Sequence, residues 1–339
     1  MRVLATGGSG FLGGRVLGLL LSGGHEVVAY SRRDIPGGVA KGSKPFLGEL
    51  SDPKALREAC DGCEAVVHCA GKTGTWGPLA GYLKVNTEGT SNLLKAAKDA
   101  GARLFVHTST PSVVHQAGGL KAADESAPYT GDKGYGYPYS KMLAEKMVLE
   151  ANRDSFRTLA LRPHLIWGPG DPHFLPRILD MAKRGRLRYL SGGPYLVSHT
   201  YIDNAAHAHA LALRRLAEDD TVAGLAYFIA EPEPMDVKDL VNALLACGGL
   251  PPVEREVPRW LARAFGTICG FLWAKLRLKG EPPMTGFTAR QLSTSHYFDI
   301  SRAKTLLGYE PVVGTAEAFE RLKEYLSGKS QDKPKDAET

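Results

Sequence analysis

Arg2-Val-Leu-Ala-Thr6-Gly7-Gly-Ser-Gly10-Phe-Leu-Gly13 opens the chain and decides its fold. A short apolar strand, 2–6, runs directly into glycines at G-x-x-G-x-x-G spacing. A helix over about 11–22 follows, then an apolar strand at 26–30. Strand, glycine turn, helix and strand within ~30 residues make a βαβ unit that seats a dinucleotide. Gly7 permits the tight turn, Gly10 lets the backbone approach a pyrophosphate, and Gly13 lets helix and strand pack closely. The phosphates then rest on the positive end of the helix dipole.

Outward from this unit, strand-like apolar runs recur at 65–69, 104–108 and 158–161. Helical patterns centred on 53–60, 85–100 and 137–152 separate them. Strands alternating with helices predict an α/β fold, a doubly wound parallel sheet. Ligands in such sheets bind at the carboxyl ends of the strands, where Gly7 to Gly13, Gly71 and Thr110 converge. The texture becomes irregular after Trp167, with the turn cluster Gly168-Pro-Gly-Asp-Pro172. The expected organisation is a coenzyme-binding domain over 1–166, its sheet completed by later segments, and a smaller substrate lobe over 167–327. The polar stretch 328–339 is expected to be a disordered tail.

Composition excludes more than it selects. The 339 residues carry 42 Lys+Arg against 36 Asp+Glu, a net charge of +6 too mild and dispersed to argue for nucleic acid. No leader-like stretch precedes Arg2, so a cytoplasmic protein, at most peripheral to a membrane, is expected. Five cysteines, an odd number, are expected to be reduced thiols. Cys60-Asp-Gly-Cys63 has no second pair at zinc spacing, and His207 and His209 cannot share a helix face, so no metal is assigned.

The chemistry is concentrated in Tyr137-Pro-Tyr-Ser-Lys141. Residues four apart lie on one face of a helix. A nearby ammonium is expected to lower the tyrosine pKa from about 10 and give a proton donor near neutral pH. With the glycine turn this reads as hydride transfer to or from a carbon bearing oxygen. Thr110, closing the strand His107-Thr-Ser-Thr110, is expected to donate to the substrate oxygen, and Lys141 to hold the nicotinamide ribose. At the end of the second strand, where an acid would bind the ribose 2′-hydroxyl of NAD, stand Ser31-Arg32-Arg33. A hydroxyl and two guanidiniums suit a 2′-phosphate, so NADP(H) is expected over NADH.

These residues resemble the extended short-chain dehydrogenase/reductases, and within them the 3β-hydroxysteroid dehydrogenase branch. The likeness runs from the glycine turn to Leu307-Gly-Tyr-Glu-Pro311. It includes Val85-Asn86-Thr-Glu-Gly-Thr90 and Leu161-Arg-Pro163 followed by Ile166-Trp-Gly-Pro169. The resemblance implies that Thr110 is the active-site hydroxyl, that Asn86 shapes the site, and that Pro163 and His164 pass near the nicotinamide amide. It places Ser9, Phe11 and Leu12 of the turn, Leu50, Ala70 and Gly71 against the cofactor, with Glu49 where the family has an aspartate near the adenine. A homodimer is also implied. Gly71-Lys-Thr-Gly-Thr-Trp76, Thr108-Ser-Thr-Pro-Ser-Val113 and Leu276-Arg-Leu-Lys-Gly-Glu-Pro-Pro283 are most similar to the reductases of 2-alkyl-3-oxoalkanoates in bacterial olefin biosynthesis. Leu161-Arg-Pro-His164 and Ser295-His-Tyr297 are shared with the sterol-4-carboxylate 3-dehydrogenases. Both act on a 3-hydroxy or 3-keto group beside a carbon bearing a carboxylate, on a large lipid.

Rivals are weaker. Nucleotide-sugar dehydratases of this superfamily place acids after the active-site threonine, where this chain has Pro111 and Ser112. A non-catalytic coenzyme-binding protein would have no use for both Tyr137 and Lys141. The segment 258–280 alternates Trp260, Leu261, Phe265, Ile268, Phe271, Leu272 and Leu276 at helical spacing. Arg259, Arg263, Lys275, Arg277 and Lys279 flank it, and no acid interrupts it. Its uncharged stretch, 264–274, is short of the ~20 residues a bilayer span needs. Two readings stand: a helix lying on a membrane surface or a partner enzyme, or a lid packing its apolar face on the core.

Overall fold

The computed structural model describes residues 1–35, 41–116, 118–276, 278 and 280–331. Seven parallel strands form the central sheet: β1 (Arg2–Thr6), β2 (Glu26–Ser31), β3 (Lys44–Leu47), β4 (Ala65–His68), β5 (Leu104–Thr108), β6 (Arg157–Pro163) and β7 (Ala226–Ile229). Their order is β7-β6-β5-β4-β1-β2-β3. The reversal between β1 and β4 creates the crevice where such sheets bind ligands. Register is direct, with Leu4 beside Val28 and Val66, and Val106 beside Val67 and Leu159.

Alternation along each strand builds two cores, because successive side chains leave opposite faces. Val3, Ala5, Val67 and Val106 meet Val16, Leu17 and Leu20 of α1 (Phe11–Ser22). Leu4, Val66 and Phe105 meet Leu56 of α2 (Pro53–Cys60), Leu93 and Ala97 of α3 (Gly89–Asp99), and Val148 of α4 (Gly136–Glu150). Pro53 opens α2, and Asp52 caps it by accepting from the backbone N–H of Lys54 and Ala55 at 3.0 and 3.1 Å.

The segments then alternate between lobes. Phe174–Lys183 forms α5 in the smaller lobe, whose core gathers around the fully buried Trp167. Ile202–Glu218, α6, returns to cover the main sheet beside α1, and β7 follows at the sheet edge. The coenzyme domain therefore takes in elements well past 166. Val237–Cys247 (α7) and Arg259–Leu276 (α8) lie in the second lobe, with Gly286–Gln291 (α9) packed on α8. The last helix, α10 (Thr315–Gln331), runs past 328, where the sequence reading began its tail; 332–339 lie outside the described residues.

The apolar residues of α8 are not turned onto the core. Its buried face is Ala262, Gly266 and Cys269, with Gly266 so close to α9 that an added Cβ would stand 2.7 Å from the Thr285 carbonyl. Small residues permit this approach, and the bulky ones point outward: Trp260 is 68% and Phe271 62% exposed. The lid expected to bury its apolar stripe is thus not what the helix does. Arg277 and Lys279 lie outside the described residues. No described helix is long and apolar enough to cross a membrane.

Candidate active site

A cleft of about 2160 Å³ opens at the carboxyl ends of β1, β4 and β5. That exceeds the ~300–1,000 Å³ of a single small-ligand site, leaving room for a dinucleotide and a second molecule. Gly7 takes φ +79°, and a Cβ there would stand 2.8 Å from the Ala70 nitrogen. At Gly13 a Cβ would collide with the Gly7 carbonyl oxygen. A Cβ on Gly10 would meet only that same oxygen, at 3.2 Å, so its other side is open. Gly10 caps α1 without a side chain, and the first turn holds no acid. Those free N–H groups fit a pyrophosphate.

Ser9, Phe11, Leu12, Arg32, Arg33, Glu49, Leu50, Ala70 and Gly71 all line the cleft, as does Ser31, whose hydroxyl donates to the Arg33 carbonyl and ties the turn. Lys41 joins them, a cation that sequence reasoning missed because it lies beyond the second strand with no motif around it.

Tyr137 and Lys141 stand one turn apart on α4, facing Ser109 and Thr110 at the end of β5. Lys141 is buried; its ammonium donates to the Thr108 carbonyl and lies 3.2 Å from His107 Nε2. Burial pulls its pKa down to about 8, with Glu145 and Cys69 acting in the opposite sense. The Tyr137 phenol is raised instead of lowered: burial pushes it up, the Thr110 hydroxyl draws it back, and Tyr82 adds to the rise. The expected depression by Lys141 is corrected here, because that ammonium is turned to the β5 backbone. A raised phenol remains protonated at neutral pH, which suits a proton donor.

Asn86 lies in a π-type turn, Leu83–Glu88, a geometry frequent at functional sites. Its side chain is buried: Oδ1 accepts from Lys72 N–H at 2.7 Å, and Nδ2 donates to the Lys72 carbonyl and to Ser140 Oγ, each at 3.0 Å. Asn86 thereby ties the loop after β4 to α4 and does not itself line the cleft. Pro163 lines it. The His164 imidazole does not; it bonds the Ser198 carbonyl and packs edge-on to Phe298 at 5.1 Å, both in the second lobe.

Behind the site runs a buried chain with no sequence signal. Thr6 Oγ1 accepts from Ala70 N–H at 3.2 Å, leaving its proton for His68 Nδ1 at 2.8 Å. His68 Nε2 then donates to Thr90 Oγ1 at 3.0 Å, and Thr90 to the Asn86 carbonyl at 2.6 Å. Burial holds this histidine neutral, near 3. The chain locks the turn after β4 to the helix bearing Asn86. Cys60 and Cys63 are buried free thiols pushed up to about 12 and about 11 by burial, unsuited to redox work. Among the described residues no group of histidines, cysteines and acids is placed to hold a metal ion.

The family model described as the 3-beta hydroxysteroid dehydrogenase/isomerase family matches residues 4–258. The chain belongs to that family. Among relatives of this 3β-hydroxysteroid dehydrogenase family member, the 2-alkyl-3-oxoalkanoate reductase of Stenotrophomonas maltophilia (strain K279a) is 44% identical over 327 residues, 95% of this chain and 98% of that one. The decarboxylating sterol-4-alpha-carboxylate 3-dehydrogenase of Mus musculus is 31% identical over 333 residues, covering 96% and 91%. The dTDP-glucose 4,6-dehydratase of Streptomyces venezuelae, solved with NAD, matches 98% of both chains with a TM-score of 0.75 at 22% identity, which shows the fold alone. This family member is an NAD(P)-dependent oxidoreductase.

Proposed function

We propose that this protein is an NADP(H)-dependent reductase of 2-alkyl-3-oxoalkanoates, with Tyr137 as its general acid and base. The observation that carries the substrate class is the 44% identity to such a reductase across nearly the whole of both chains. The bound dinucleotide supplies the hydride; everything else falls to residues of this chain. Tyr137 donates its proton to the oxygen of the 3-keto group as the carbon is reduced. The Thr110 hydroxyl orients that oxygen, and a phenol held protonated by burial is ready to give its proton. Lys141, fixed by the Thr108 carbonyl and His107, would hold the nicotinamide ribose of the bound coenzyme.

The preference for NADP(H) rests on Ser31, Arg32 and Arg33 at the carboxyl end of β2, lining the cleft. Two guanidiniums favour a 2′-phosphate over a bare hydroxyl. The outward apolar face of α8, with Arg259, Arg263 and Lys275 beside it, reads as the contact with a lipid surface or a partner enzyme that delivers an apolar substrate. We expect a homodimer in solution.

A second reading, a 3β-hydroxysterol-4-carboxylate dehydrogenase, is favoured by the mouse relative matching 96% of this chain. Reduction of NADP⁺ by the purified protein, offered a 2-alkyl-3-hydroxyalkanoate and a 3β-hydroxysterol 4-carboxylate side by side, separates the two. Turnover of the sterol alone would overturn the first reading, and silence with both would overturn the substrate class.

A further inference from the structure

A 3-oxo acid presents its carboxylate two carbons from the carbonyl that Tyr137 serves. Enclosing that charge without a partner is costly, so the site needs a cation near Tyr137. Lys141 is committed to the Thr108 carbonyl and His107. Arg32 and Arg33 belong to the coenzyme end, and the Lys41 segment packs by the far end of α1, against Leu21.

Lys72 remains. It lines the cleft half-buried, immediately after Ala70 and Gly71, with Nζ 4.7 Å above the Tyr82 ring centroid. The Tyr82 ring meets the Tyr137 ring edge-on at 6.5 Å. The Lys72 backbone is gripped at both N–H and carbonyl by Asn86, which also bonds Ser140 Oγ; Ser140 Oγ in turn donates to the Tyr137 carbonyl at 3.0 Å. The cation and the proton donor are thus held to one another by a single buried amide. Tyr82 is fixed by its hydroxyl donating to the Trp76 carbonyl at 2.9 Å. Glu281 also faces Tyr82, yet it makes no ion pair with Lys72 within 4.0 Å among the described residues. Lys84, the other cation on this stretch of the cleft, is exposed.

We propose that Lys72 binds the substrate carboxylate, its ammonium resting on Tyr82 until the acid group arrives beside Tyr137. This rests on the reading of the substrate as a 3-oxo or 3-hydroxy acid and assigns the residue that recognises the acid. Asn86 is then a positioning residue, acting through the Lys72 backbone.

The experiment compares a 2-alkyl-3-hydroxyalkanoate with its methyl ester, oxidised with NADP⁺, which avoids loss of CO₂ from the keto acid. Wild type should prefer the acid. Lys72→Met should raise KM for the acid on the order of 10- to 100-fold, the range of one charge-assisted hydrogen bond. It should leave kcat/KM for the ester and KM for NADP⁺ within about 2-fold, and Lys72→Arg should restore most of the acid preference. Equal loss on acid and ester, or no loss on the acid, would overturn the assignment while leaving the substrate reading in place. A wild type that oxidises neither compound would overturn the substrate reading and this one with it.

Discussion

Replacing Lys141 with methionine should flatten the dependence of stability on pH between 7 and 10. The folded protein holds this ammonium at about 8, where the unfolded chain holds it at 10.5. Between those values the unfolded chain binds a proton that the folded one does not, so stability rises with pH across the window. The gap corresponds to about 3 kcal/mol, absent below pH 8 and fully present above 10.5. About 2 kcal/mol of it should appear between pH 7 and 10. Methionine also leaves the Thr108 carbonyl and His107 Nε2 without their donor, but that penalty does not vary over this range. The quantity to read is therefore the difference between wild type and variant in urea-unfolding free energy at each pH, without coenzyme. Wild type should gain about 2 kcal/mol on the variant from pH 7 to 10. Parallel profiles would refute the claim that Lys141 is a charge kept in a dehydrated place.

Tyr137→Phe should lower turnover by on the order of 10²- to 10⁴-fold while NADPH titration by fluorescence stays unchanged; a variant that turns over within about 10-fold of wild type would end the assignment. Arg32→Ala should raise KM for NADPH far more than for NADH, and an equal rise for both coenzymes would remove the 2′-phosphate reading. Glu145→Gln should destabilise the fold by about 3–5 kcal/mol, because Arg162, 2% exposed and 2.6 Å from Glu145 Oε1, would keep a buried charge with no counterion. Urea unfolding with a midpoint near that of wild type would contradict it.

The parts of the molecule legible in sequence are those whose physics is local. A glycine turn between strand and helix carries its own reason at Gly7 and Gly13, and Tyr137 with Lys141 needs only one helical turn. What escaped depends on distant chain. Asn86 is recognisable by resemblance, but that its amide grips the Lys72 backbone follows only once β4 and α4 are adjacent. His68 looks like any strand residue until Thr6 and Thr90 close around it. The pKa of Tyr137 went the wrong way because spacing gives proximity but not direction: Lys141 is four residues on, and its ammonium points to β5. For α8, periodicity identified the apolar stripe correctly but could not say that Ala262, Gly266 and Cys269 would make the contact with the protein.

The edge strand Ala226–Ile229 pairs with Arg157–Pro163 only after the chain has built much of the other lobe. During synthesis at ~5–20 residues per second, β6 leaves the ribosome several seconds before its neighbour. In that interval one side of an apolar strand presents unpaired N–H and C=O groups, a template for any other nascent chain. Glu125 accepts from the Phe228 backbone N–H at 2.8 Å and pairs with Arg302, so even the finished edge is secured by a residue made still later. Yield in a heterologous host therefore depends on what shields β6 while the ribosome works through those residues. Slowing translation upstream of 157 should do no harm, whereas a pause between 163 and 226 should send product into inclusion bodies.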